Sequence, residues 1–215
     1  MSMVKKQTRC KNQIKGLLSF YGYVTPDEMA RSYWSQRFIN WLESLEFQGE
    51  SGKQALQALL DELKHLRQSI AQLTRQIRAL VQQEPYRSQV QYLKSIPGIS
   101  TFTAMALLTG IVDINRFKGL DHLASYVGLI PGEDSSGEQE RNTGISLRRN
   151  VYLRALLIES SWLAVRKDPA LLMAFDKLTQ RMPKNRAIIR IARKLLNRIR
   201  YVLKNQQSYE TCVVS

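Results

Sequence analysis

Cysteine, histidine and long apolar runs are scarce in this 215-residue chain, and each scarcity removes a class of function. The two cysteines, Cys10 and Cys212, lie near opposite ends with no short spacing between them, which leaves no basis for a disulfide framework or a zinc motif. His65 and His122 are also far apart, so a metal site built from local motifs is not expected. No apolar run approaches the roughly 18 residues that a membrane helix needs. Met1 to Lys11 has no apolar signal core. The expectation is a soluble, cytoplasmic protein with no membrane partner. No convincing strand pair, low-complexity segment or internal repeat stands out, which points to an all-α fold.

Basic charge is abundant. Lys and Arg number 32 against 18 Asp and Glu, a net charge of +14. Between Arg141 and Lys204, sixteen Lys and Arg face only Glu159, Asp168 and Asp176, so a net +13 falls in less than a third of the chain. Basic charge gathered in this way is the footprint of a phosphate backbone, the alternative being a solvated basic surface.

Helical periodicity runs through the chain. Thr8 to Phe20 reads as a short helix with Ile14, Leu17 and Leu18 on its buried side, stopping at Tyr21-Gly22. Thr25-Pro26-Asp27-Glu28 is a helix-start signature, and Ser35 is placed to cap a helix that buries Phe38, Ile39, Trp41, Leu42 and Leu45. After the break at Gln48 to Gly52, the residues Leu56, Leu59, Leu63, Leu66, Ile70, Leu73, Ile77 and Leu80 alternate in steps of three and four. Such a narrow stripe is a coiled-coil seam, and the expectation is a homo-oligomer paired through the Leu56–Leu80 heptads. The rival is a hairpin in which this helix packs on Ser35 to Leu45. Glu84-Pro85 ends the heptad helix. Further helices are expected over Tyr86 to Ser95, Thr101 to Val112, Leu120 to Val127, Ile145 or Ser146 to Lys167, Pro169 to Met182 and Lys184 to Asn205. On the last of these, Ile189, Ala192, Leu196, Ile199 and Leu203 form one face. Arg186, Arg190, Arg193, Asn197, Arg200 and Lys204 form another, a row suited to lie along phosphates.

Two stretches carry chemistry. Ile96-Pro97-Gly98-Ile99, followed by Thr101, Thr103, Ala104 and Ala106, looks like the hairpin of a helix-hairpin-helix motif. A glycine there lets backbone amides approach a phosphate at the positive end of the next helix, although Pro-Gly turns between helices are also common as plain structure. Ser135-Ser136-Gly137 lies in a polar stretch followed by Arg141, Arg148, Arg149 and Arg154. Serine needs activation before it attacks, and no histidine lies nearby to supply a hydrolase triad. The arginines are of the type that stabilises phosphate oxygens as charge develops on them. Glu133, Asp134, Glu138 and Glu140 are as readily a solvated loop as a cation site and receive no role.

The order of elements is more specific than any one of them. Ile96-Pro97-Gly98-Ile99, then Phe117, then Leu123 to Pro131, Ser135-Ser136-Gly137, Gly144-Ile145-Ser146 and Asn150-Val151-Tyr152-Leu153-Arg154 together resemble the C-terminal transposase domain of the bacterial insertion-sequence recombinases guided by a bridge RNA. The likeness covers roughly residues 90 to 205, and the heptad helix before it also resembles its counterpart in that family. The resemblance implies DNA transposition, in which a serine attacks DNA to give a covalent phosphoserine. Ser136 matches the nucleophile, and Ser135 is the neighbour with which it is most easily confused. Arg148, Arg149 and Arg154 fall where the family's basic helix lies. An N-terminal RuvC-like domain with four Mg²⁺-binding carboxylates is part of the family pattern, and the expectation is that this chain lacks it, so that it binds no cofactor of its own. DNA is the implied partner, with a guide RNA beside it.

The expected organisation is an N-terminal helical segment over residues 1–50, a coiled-coil helix over 51–84, a helical transposase domain over 85–207 and a tail over 208–215. The expected nucleic-acid contacts are Gly98, Arg141, Arg148, Arg149, Arg154, Arg186, Arg190, Arg193 and Arg200, and the expected catalytic residue is Ser136. The alternative is a truncated, non-catalytic nucleic-acid-binding remnant that regulates an intact transposase.

Overall fold

The computed structural model describes residues 2–29, 34–130 and 150–210. Among them every regular element is a helix, and the chain divides into two compact units, Met1–Gln76 and Ile77–Ser215. None of the described helices is long and apolar enough to cross a membrane.

In the first unit, α1 (Met3–Phe20), α2 (Gln36–Glu43) and the greater part of α3 (Glu50–Leu80) share one core. Helix α1 starts earlier than its apolar pattern indicates. Val4 to Gln7 contain no breaker, so nothing halts the helix short of Ser2. The Thr25-Pro26 signature opens a 3₁₀ turn, Asp27–Met29, and the next described helix follows Ser35. Ser35 caps it, its side chain accepting a hydrogen bond from Phe38 N–H at 3.2 Å, as the sequence indicates. Cys10, Ile14 and Leu18 of α1 meet Phe38 and Leu42 of α2 and Leu56, Leu60, Leu63 and Leu66 of α3. Each fully buried side chain of this size contributes roughly 1.5–3 kcal/mol.

The N-terminal half of the heptad stripe is therefore occupied by the chain's own helices. Leu56, Leu63 and Leu66 are buried, and Leu59 is partly so. Further along the stripe Leu73 is 44% exposed and Leu80 37%. Gly52 permits the close start of α3, because a Cβ there would lie 2.6 Å from the Phe47 ring and 2.8 Å from the Tyr21 ring.

The second unit packs α4 (Tyr86–Lys94), α5 (Thr101–Ile111), α6 (Leu120–Val127), α7 (Val151–Lys167), α8 (Pro169–Thr179) and α9 (Lys184–Asn205) around one core. Helix α9 is its axis. Its buried residues Ala187, Ile188, Ile191, Ala192, Leu195, Leu196, Ile199 and Val202 form a face broader than the one-residue-per-turn pattern expected, while Ile189 and Leu203 lie at the margin. Helix α8 ends at Thr179 rather than Met182, since residues just before Pro183 are steered out of the helical region. Helix α6 closes on Gly128, whose left-handed φ of 80° lets Gly128 and Leu129 N–H return to the carbonyl of Ala124. Asn150 caps α7, its side chain accepting from Leu153 N–H at 3.1 Å. The expected start of α7 at Ile145 or Ser146 lies outside the described residues.

Asp168 joins three elements. It is buried, caps α8 by accepting from Leu171 N–H at 3.0 Å, and forms an ion pair with Arg198 of α9. The Tyr209 hydroxyl reaches the same carboxylate at 3.5 Å, and its ring stacks on the Arg198 guanidinium at 4.8 Å. A buried carboxylate is tolerable when it is satisfied in this way.

Candidate nucleic-acid interface

The turn at Ser95 to Ser100 joins α4 to α5. Ser100 caps α5, accepting from Thr103 N–H at 3.1 Å. Gly98 has a φ of +89°, and a Cβ on it would lie 2.4 Å from the carbonyl oxygen of Ser160 and 2.9 Å from the amide nitrogen of Ala164, both in α7. Glycine is thus required twice over, by backbone conformation and by the close approach of α7.

A second constellation surrounds Tyr126, at the end of α6. Its hydroxyl donates to the Gly110 carbonyl at 2.7 Å, and its own carbonyl accepts from Asn150 N–H at 3.1 Å. Its ring stacks beside Phe117 with centroids 5.4 Å apart, and the Arg116 guanidinium lies over both rings, at 4.6 Å from Phe117 and 4.7 Å from Tyr126. Gly110 makes room for Leu153, whose Cδ1 would come within 2.7 Å of a Cβ there. Phe117, Tyr126, Asn150 and Leu153, from three of the motifs in the ordered series, therefore form one knot, which ties the end of α6 to the start of α7.

Beside this knot lies a groove of about 1040 Å³. Leu120, Gly128, Leu129 and Ile130 come from α6 and its exit, and Ala170, Leu171 and Ala174 from the start of α8. The opposite wall is α9, with Arg186, Ile189, Arg190, Arg193, Lys194, Asn197 and Arg198. Five cations thus line a groove whose floor is apolar. Arg186, Arg190, Lys194 and Arg198 recur every fourth residue and form a ridge about 18 Å long at the helical rise. The first turn of α8, capped by the Asp168 carboxylate, borders the same space. Arg193 is held by an ion pair to Asp121 of α6, and Arg198 by Asp168.

Of the residues singled out from the sequence, Arg186, Arg190 and Arg193 meet in this groove, while Arg200 is half-buried further along α9 and is not part of its lining. Arg154 is half-buried in the first turn of α7. Ser136, its neighbour Ser135, and Arg141, Arg148 and Arg149 lie outside the described residues. Lys194 and Arg198 were missed because the row was traced by alternating steps of four and three. The straight four-residue ridge from Arg186 was the signal that would have found them.

Residues 90–176 match the family described as Transposase IS116/IS110/IS902. Over 211 residues the chain is 30% identical to the transposase for insertion sequence element IS1111A of Coxiella burnetii, covering 96% of this chain and 57% of that protein. Over 215 residues it is 31% identical to a probable family 20 transposase of Pseudomonas aeruginosa, covering 98% of this chain and 61% of that protein. The insertion element IS110 uncharacterized 43.6 kDa protein of Streptomyces coelicolor is 30% identical over 140 residues, 65% of this chain and 34% of that protein. The chain thus spans about three fifths of the length of the first two of these relatives.

Proposed function

We propose that the chain, whose residues 90–176 match the IS116/IS110/IS902 transposase family, is the DNA-contacting part of a transposase and that DNA transposition is the process it serves. The observation that carries this reading is the groove, with five cations along one wall and Ile130, the residue from which the segment bearing Ser136 departs, in its lining. Arg186, Arg190 and Lys194 neutralise phosphates, Arg193 and Arg198 being held by Asp121 and Asp168, while the apolar floor accepts sugar and base surface.

Ser136 is the proposed nucleophile. Its Oγ attacks a backbone phosphorus, an O–P bond forms as the bond to one deoxyribose oxygen breaks, and the leaving hydroxyl takes up the proton. Arg141, Arg148 and Arg149, which follow in the same segment, are proposed to stabilise the charge that develops on the phosphate. Arg154 and Arg200 are proposed to make flanking phosphate contacts, and Gly98 to offer the amides of its turn to the backbone. The Mg²⁺ that the family resemblance implies does not fit the described residues, among which no three His, Cys, Asp or Glu side chains gather to hold a metal ion. Its place is proposed to be a RuvC-like domain acting with this chain. A guide RNA is the proposed second ligand. Self-association is proposed through the C-terminal half of the heptad stripe, Ile70, Leu73 and Leu80, since the first half serves the chain's own core.

Titration of a labelled DNA duplex over a range of salt concentrations tests the reading. Each phosphate contact contributes about 0.9 to the slope of log affinity against log salt. Arg190→Gln with Lys194→Gln is expected to weaken binding and to lower that slope by about 2. An unchanged slope would dismiss the groove as the contact. A covalent adduct on nicked suicide DNA, in the presence of a RuvC-like domain, is expected to be lost in Ser136→Ala and kept in Ser135→Ala. Binding without any adduct marks the chain as a non-catalytic nucleic-acid-binding protein.

A further inference from the structure

Helix α1 carries Lys5, Lys6, Arg9, Lys11 and Lys15 and no acidic residue, whereas residues 21–76 carry seven Asp and Glu against six Lys and Arg. The positive charge of the first unit is therefore gathered on this helix. Its buried side is accounted for by Cys10, Ile14 and Leu18. Lys11 is turned toward the core, 5.5 Å from the centre of the Trp34 ring, and burial, with the Arg67 guanidinium second, pulls its pKa below the ordinary lysine range. The other four cations are exposed.

Two further features of the solvent side serve no packing among the described residues of the first unit. Gly16 sits mid-helix, with nothing within 4 Å of where its Cβ would stand. Glycine there costs about 1 kcal/mol relative to alanine, and no neighbouring group within the unit demands it. Phe20, in the last turn, is 81% exposed, its ring held only edge-on by Tyr21 at 5.2 Å between centroids. Lys5, Arg9, Gln13, Gly16 and Phe20 succeed one another at steps of four, four, three and four, which places them on one side of the helix.

We propose that this face of α1 is a docking surface for single-stranded nucleic acid, separate from the groove of the second unit. Lys5 and Arg9 hold phosphates, Gly16 lets the strand lie close against the helix, and Phe20 stacks on a base. The charge complementarity selects a polyanion. The exposed aromatic at the end of a cationic track selects a strand with unpaired bases over a duplex, whose bases are stacked inside.

The test is fluorescence anisotropy of the whole chain with oligo(dT), oligo(rU) and a duplex, across salt. Lys5→Gln with Arg9→Gln is expected to lower the single-strand salt slope by about 1.4, at about 0.7 per phosphate. Phe20→Ala is expected to weaken oligo(dT) or oligo(rU) binding about tenfold, with duplex binding unmoved. Gly16→Leu is expected to weaken single-strand binding while raising the thermal stability of the helix, which separates loss of fit from loss of fold. The groove variant Arg190→Gln with Lys194→Gln is expected to retain single-strand binding, so failure of the groove reading and failure of this one are distinguishable. Single-strand binding that survives the α1 changes, or that is lost with the groove change alone, would overturn the proposal.

Discussion

Single residues in this chain are held in states that ordinary sequence rules do not foresee. Val112 follows α5 with φ 64° and ψ −68°, and Asp113 N–H returns to the Ile111 carbonyl at 2.8 Å, which is a γ-turn of the strained hand. A β-branched residue in that region stores roughly 1–3 kcal/mol of strain. Val112 is 78% exposed and buries little in return. Val112→Gly is therefore expected to be neutral or to stabilise the chain by about 1 kcal/mol, measured by urea unfolding, although most substitutions destabilise. Cys10 is a different case. Its thiol is buried and donates to the Leu59 carbonyl at 3.3 Å, and burial, with Glu62 second, pushes its pKa up. The folded chain therefore keeps the proton where the unfolded chain releases it. Stability is expected to fall as pH rises past the ordinary thiol pKa, and Cys10→Ala is expected to remove that part of the alkaline loss in pH-dependent denaturation curves.

At the scale of elements, the heptad helix shows what a sequence pattern can and cannot state. The spacing of Leu56 to Leu80 made α3 legible, and Gly52 and Leu80 fall close to its ends. A seam read in one dimension does not say what covers it. Phe38 and Leu42 of α2 and Ile14 of α1 cover its first half, so the helix packs on Ser35 to Leu45 and on α1 together. Leu63→Ala is expected to cost 2–5 kcal/mol in unfolding free energy. Leu73→Ala is expected to cost under about 0.5 kcal/mol, and to reduce self-association in sedimentation if the second half of the stripe is a seam between copies. The cap at Ser35 was equally legible, because its own side chain carries it. Asp168 was not, because its reach to Arg198 and Tyr209 joins positions far apart in sequence.

For the second unit as a whole, the described cations sort into a groove wall and residues with other work. Arg116 lies over aromatic rings and Arg198 is tied to a buried carboxylate, so part of the positive charge holds the fold together. Composition could count these cations but could not sort them. The all-helical architecture and the α9 row were recoverable from periodicity. The groove was not, since its other walls come from the exit of α6 and the first turns of α8. Asp121 opposes the proposed ligand there, because its carboxylate pairs with Arg193. Asp121→Asn is expected to tighten duplex binding about two- to fivefold at low salt, since an exposed pair of this kind is worth under about 1 kcal/mol. The gain should fade at high salt as screening shortens the range of the charge.

The hydrogen bond from Asn150 to the Tyr126 carbonyl ties the start of α7 to the last turn of α6. The Tyr126 hydroxyl carries the tie on to the Gly110 carbonyl of α5. One tyrosine is thus a shared anchor for three helices, which are expected to open as one cooperative unit rather than singly.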